Sequence, residues 1–151
     1  MQVLSKLFCA CAAALLVHTA QAQSSVQGAD AMIQASTAVA QMIDQGKPAE
    51  VWNGATQMAK DTVTRDVFVT KVNEARKPLG AVSSRTWTAV RRQVEPTGTQ
   101  IPAGHSMSVE YDTVFSTGKS VRELVTFRLD EDNVWRFMGY WLQPATVSPK
   151  P

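Results

Sequence analysis

The apolar residues of this chain change their spacing once, near residue 80, and that change decides what the chain can fold into. Upstream, Met32, Ala35, Val39, Met42 and Ile43 recur at helical spacing, as do Phe68, Val69, Val72 and Ala75. Downstream, Met107, Val109, Tyr111, Thr113 and Phe115 alternate with Ser108, Glu110 and Asp112, which is the period of a half-buried strand. Val121, Val125, Phe127 and Leu129 repeat that period. Helices first and strands afterwards define an α+β fold rather than an alternating parallel one. The strand segments are joined by short turns, so the sheet is expected to be antiparallel. One face of it is apolar and needs cover, which the N-terminal amphipathic helices supply. The expected architecture is therefore helices packed on a curved four-stranded antiparallel sheet, a small cone or half-barrel.

Local signals mark the boundaries. Gly46 stands where a helix C-terminal cap belongs, and Pro48 suits the first turn of a second, short helix carrying Val51 and Trp52. Residues 54–61 read as a looser stretch. Thr64 is the expected N-cap of a third helix with Asp66 in its first turn, and Pro78 stops it. Residues 82–94 are rich in Val, Thr and Trp but alternate imperfectly, which predicts a β-bulge. Residues 95–104 read as a Pro- and Gly-containing loop, and His105 beside Ser106 is read as a loop histidine that follows it. Asp130 to Asn133 read as an acidic turn, and the last strand carries Trp135, Phe137 and Trp141 on one face.

The N-terminus reads as a secretory signal peptide over residues 1–22. Lys6 supplies its positive region, an apolar run follows, and Ala20-Gln21-Ala22 predicts cleavage before Gln23. The apolar run is too short to span a bilayer, which takes about 20 residues. Cleavage removes Cys9 and Cys11, so the mature chain has no disulfide and no thiol chemistry. It also removes Lys6, so 15 basic residues become 14 against 13 acidic ones, far from the clustered positive charge of a nucleic-acid binder. Residues 23–28 are a linker, residues 29–143 a single domain, and residues 144–151, with three prolines, a disordered tail. Export to the periplasm or beyond is the expected localisation.

Few residues carry chemistry. One histidine, His105, survives cleavage, so no metal centre is expected, and the run Asp130-Glu131-Asp132-Asn133 lacks the spacing and glycine of a calcium loop. No cofactor is implied. There is no nucleophile elbow, and His105 beside Ser106 lacks a third orienting group. Arg91-Arg92 with Arg85 makes a small basic patch on a solvated sheet face. Glu123 alone breaks its local pattern, since it falls on the apolar face with Val121, Val125 and Phe127. A carboxylate there must be paired, by Arg85, Arg122 or Arg136, or else serve as a polar group in a pocket. Trp52, Trp87, Trp135, Phe137, Tyr140 and Trp141 are expected mainly as core, with a pocket lining as the alternative.

Several segments together resemble a known family. These are Met42-Ile43-Asp44 with Gly46, Val51-Trp52, Ala75-Arg76-Lys77-Pro78-Leu79-Gly80, Val121-Arg122-Glu123-Leu124-Val125-Thr126, and Trp135-Arg136-Phe137-Met138-Gly139-Tyr140. They resemble the bacterial secreted family known as domain of unknown function 4019, over nearly the whole mature chain. The resemblance implies a cystatin-like or nuclear-transport-factor-2-like arrangement and brings no catalytic residue with it. The expected function is a non-catalytic, exported module of the cell envelope that binds a small molecule or a protein through the concave sheet face or a strand edge. Candidate binding residues are Glu123, Tyr111, Tyr140 and Trp87, and edge pairing would make a homodimer. Two alternatives stand beside it. One is a pocket enzyme of isomerase or dehydratase type, with Glu123 as base and Tyr111 or Tyr140 as proton donor. The other is a purely structural envelope component.

Overall fold

A computed structural model describes residues 28–98 and 102–144. The expected signal peptide, nearly all of the linker, and residues 145–151 of the expected tail lie outside the described residues. Among the described residues, four helices precede four strands: α1 Ala29–Asp44, α2 Pro48–Asn53, α3 Gln57–Thr62, α4 Arg65–Arg76, β1 Val82–Glu95, β2 Gly104–Phe115, β3 Ser120–Leu129 and β4 Trp135–Pro144. The strands form one open antiparallel sheet in the order β1-β2-β3-β4. The class is α+β, as the change of period predicts. Among the described residues, no helix is long and apolar enough to cross a membrane.

The helix boundaries follow from their caps. Gly46 has φ 74° and closes α1, with its own N–H bonded to the Ile43 carbonyl and the Lys47 N–H reaching the Met42 carbonyl. That pair of bonds is the Schellman arrangement, and it satisfies two carbonyls the helix would otherwise orphan. Pro48 opens α2, and the Thr64 hydroxyl accepts from the Val67 N–H at the start of α4. The buried stripe of α1 is Met32, Ser36, Ala40 and Ile43, so it centres one residue away from the Ala35–Val39 line. Ser36 tolerates burial because its hydroxyl donates to the Ile33 carbonyl and meets the Tyr111 hydroxyl.

Residues 54–61 are not uniformly loose, because α3 lies among them. A helix of this length has no periodicity to detect, and Ala59 is its one buried residue. Its local signal is Thr56, whose hydroxyl accepts from the Ala59 N–H at 3.1 Å. The Thr56 N–H in turn donates to the Phe137 carbonyl at 2.8 Å, and Ala55 bridges Phe137, so this segment covers part of the β4 edge.

The sheet carries the expected bulge in β1, where the register shifts between Trp87 and Ala89 and again near Val82. A second irregularity, in β4, was not expected. Thr126 pairs with Gly139, but Phe127 pairs with Phe137, which leaves Met138 extra. An extra residue reverses the alternation that follows it. Phe137 is therefore buried on the helix side, whereas Trp141 lies on the opposite face and is 49% exposed, so the two do not share a face. The strand β2 starts earlier than expected, at Gly104, so His105 is a half-buried strand residue opposite Val94 rather than part of a loop.

The core lies between the helices and one face of the sheet. Trp52 stacks on Phe68 at 5.1 Å between ring centroids, and Phe68 meets Phe137 edge-on at 5.6 Å. Met32, Ile43, Val51, Val72, Met107, Val109, Tyr111, Val125 and Phe127 belong to the same cluster, with Ala55 and Ala59. A smaller one joins Leu79, Phe115 and Val121.

Candidate functional site

Glu123 sits in mid-β3, across from Tyr111 of β2 and Leu142 of β4, and is 0% exposed. Burial of a carboxylate is tolerable only with partners, and here they come from both layers. One oxygen, Oε1, accepts from Arg76 at 2.9 Å, from Arg85 Nη2 at 3.2 Å and from the Tyr140 hydroxyl at 2.5 Å. The other, Oε2, accepts from Arg85 Nε at 2.5 Å and from the Thr113 hydroxyl. Both lone-pair sets are thus committed.

Asp44 closes the arrangement. It accepts from Arg85 through two nitrogens, at 2.8 and 3.0 Å, and from Arg76. Asp44, Arg76, Glu123 and Arg85 form a closed ring of alternating charge in which both arginines bridge both carboxylates. Arg76 and Arg85 are themselves only 12% and 10% exposed. Arg76 is the last residue of α4, where a cation complements the helix dipole, and its guanidinium lies 4.7 Å over the Phe115 ring. Asp44 ends α1, the unfavourable end for an anion, and the two guanidinium groups offset that. Through Thr113 and Tyr140 the ring also grips β2 and β4.

The electrostatics follow from burial and neighbours. Burial works against the Arg85 charge, but hydrogen bonds and attraction from Asp44 and Glu123 outweigh it and hold the guanidinium above its ordinary range. Burial, reinforced by the Glu123 charge, pushes the Tyr140 hydroxyl well above the usual phenol value. A phenol raised in the folded state contributes stability that is full below its unfolded pKa of about 10 and is lost as pH rises beyond it. Urea midpoints measured from neutral pH upward should therefore fall more steeply above about pH 10 in the wild type than in Tyr140→Phe. Equal slopes would contradict this placement of Tyr140.

The other sequence candidates lie elsewhere. Tyr111 faces α1, where its hydroxyl meets Ser36 and, at 3.1 Å, Thr37. It is a cross-strand neighbour of Glu123, yet its polar end points away along the helix. Trp87 is 52% exposed on the edge strand β1, outside the core in which it was expected. Of the three arginines considered for Glu123, Arg85 is the partner. Arg122 lies near Glu110 and Asp112, and Arg136 binds Asp130 and Asp132 in the β3–β4 turn. Arg136 pulls Asp132 down to about 2, and two of the three carboxylates of that acidic turn are paired with this one arginine. Arg85 also leaves the basic patch drawn from the sequence, and Arg91 pairs with Glu110 at 2.5 Å. No cluster of potential metal ligands occurs among the described residues.

Asp44 and Arg76 were missed as partners of Glu123. The signal that could have found them is the resemblance itself: Asp44, Arg76, Glu123 and Tyr140 each lie in a different one of the segments that carry it.

These features define a small α+β domain whose helical layer is locked to its sheet by a buried ring of charge. The chain belongs to the family described as Protein of unknown function (DUF4019), whose model matches residues 35–140. That span opens in α1 and closes on Tyr140, so every member of the ring lies within it. Nothing among the curated proteins or the solved structures matches the chain.

Proposed function

We propose that this chain is an exported, non-catalytic binding module of the bacterial cell envelope, and that its binding surface is the face of the sheet turned away from the helices. The observation that carries the non-catalytic reading is the saturation of Glu123. An enzyme of isomerase or dehydratase type needs a base with an open acceptor position and room for a substrate beside it. Tyr140 does converge on Glu123, as such an enzyme requires. The carboxylate, however, already accepts from Arg76, Arg85, Thr113 and Tyr140, and it is fully buried. Among the described residues, three surface grooves of about 780, 360 and 220 Å³ are lined by residues other than Glu123 and Tyr140. The helix side of the sheet is filled by the core, which leaves the opposite face free to bind. Export rests on the signal-peptide pattern of residues 1–22, and self-pairing of edge strands is the homodimeric form of the same reading.

The test is native mass spectrometry of the mature protein, purified from an exporting host beside Glu123→Gln. The expected chain begins at Gln23 and carries a non-covalent partner or adduct that the variant retains below its own, lowered melting transition. A mature chain still carrying Cys9 would overturn export. Loss of the adduct in Glu123→Gln at an unchanged melting temperature would restore the pocket.

A further inference from the structure

The outer face of the sheet holds a groove of about 360 Å³ that draws on all four strands, with Trp141, Gln143, Thr126, Ser108, Gln93 and Leu124 in its lining. Three inter-strand steps of about 4.8 Å make it roughly 14 Å across. We infer that this groove binds a neutral oligosaccharide, with the Trp141 indole as its stacking platform; the inference rests on the binding-module reading above and names its ligand class.

Three observations lead there. The first is the platform. A Cβ placed on Gly139 would stand only 2.1 Å from the nearest atom of the Trp141 ring, so the indole lies directly against the backbone of its own strand. Only a glycine leaves room for it, and Trp141 still keeps 49% of its surface exposed. Such a ring is held in place on one side and open on the other. The second is charge. The groove contains one cation and one anion, and both are engaged: Arg128 donates to the carbonyls of Ala103 at 2.5 Å and Pro102 at 3.3 Å, and Glu95 accepts from Gln93. What remains for a ligand is hydroxyls and amides, with Ser108 and Thr126 already oriented by a 2.8 Å hydrogen bond between them. With one charge of each sign in its lining, the groove has no net charge to favour an ionic ligand of either sign. The third is the backbone. The middle of the groove lies over β2 and β3, whose N–H and C=O groups are paired in the ladder on both sides, so an extended peptide lying in it finds no free backbone partner there. A sugar ring matches all three, because it is uncharged, presents an apolar C–H face for stacking, and carries a rim of hydroxyls that both donate and accept.

The experiment is titration of the mature protein with the tetramers of β-1,4-linked glucose, β-1,4-linked N-acetylglucosamine and mannose, followed by calorimetry and tryptophan fluorescence. Tetragalacturonate is the anionic comparator. At least one neutral tetramer is expected to bind saturably. Trp141→Ala should weaken that binding by about tenfold or more, because the stacking surface is gone. Gly139→Ala should weaken it in the same direction, because the new methyl group pushes the indole off the strand. Both variants are checked for an unchanged melting temperature, and either one, if folded, suffices. The inference is overturned if no neutral tetramer saturates up to about 10 mM, if only tetragalacturonate binds, or if a folded Trp141→Ala binds as the wild type does. If the neutral tetramers fail while a co-purified adduct is still found, the ligand class is wrong and the binding-module reading stands. If neither is found, both fall.

Discussion

Replacing Glu123 by leucine should lower the stability of this domain by about 3–5 kcal/mol, because it leaves two guanidinium groups in a nearly closed environment with only Asp44 to balance them. At this chain length that corresponds to a fall in melting temperature of very roughly 10–20 °C. The side chain lost is of similar size to the one gained, so the cost is not that of a cavity. It is the cost of stranding Arg76 and Arg85, and of leaving the buried hydroxyls of Thr113 and Tyr140 without their acceptor. Asp44→Ala should cost less, about 1–2 kcal/mol, since Asp44 is 25% exposed and water can reach the arginines from its side. Thermal melts of the two variants check this order, and a Glu123→Leu protein that melts with the wild type would refute it. The ring is not thereby a source of net stability, because burying four charges is itself expensive. Breaking it costs more than its presence contributes.

The second large effect is expected at Phe137. Truncation to alanine should destabilise by about 3–5 kcal/mol, the usual range for a buried aromatic ring. Its ring meets Phe68 edge-on, Phe68 stacks on Trp52, and Phe137 pairs across the sheet with Phe127. Its carbonyl also receives the Thr56 N–H, which ties the α2–α3 segment to β4. The loss should therefore appear both as a lower urea midpoint and as faster amide exchange at Ala55 and Thr56. Trp141→Ala, four residues along the same strand, should change stability by less than about 0.5 kcal/mol, since its ring lies on the open face. Comparable losses at the two positions would contradict the bulge at Met138.

The contrast between those two positions shows what the sequence could and could not convey. Long periodic segments declare themselves, so α1, α4, β2 and β3 were legible, and so were the caps at Gly46, Pro48 and Thr64, because each depends on residues a few places apart. Glu123 was legible as an anomaly on an apolar face, and Arg85 as one of three candidate partners. The rest depends on pairings over long separations. Arg76 lies 47 residues from Glu123, and Asp44 lies 41 from Arg85. At a helix end each reads simply as a surface charge. The bulge in β4 has a local cue in Gly139, but the strand still reads as continuous alternation, and one unpaired residue is enough to send Trp141 to the other face. The short helix α3 is likewise held by its cap and by β4 rather than by any stripe of its own. Trp87 is exposed because β1 is an edge, which composition does not reveal.

The central claim is that the charged ring holding helices to sheet is structural and that Glu123 and Arg85 act through each other. A double-mutant cycle with Arg85→Leu, Glu123→Leu and the pair, read by urea unfolding, tests it most directly. The expected result is two costly single substitutions and a double substitution milder than their sum, with a coupling of about 1–3 kcal/mol. Additive costs, or single substitutions that leave the urea midpoint where it is, would contradict the account.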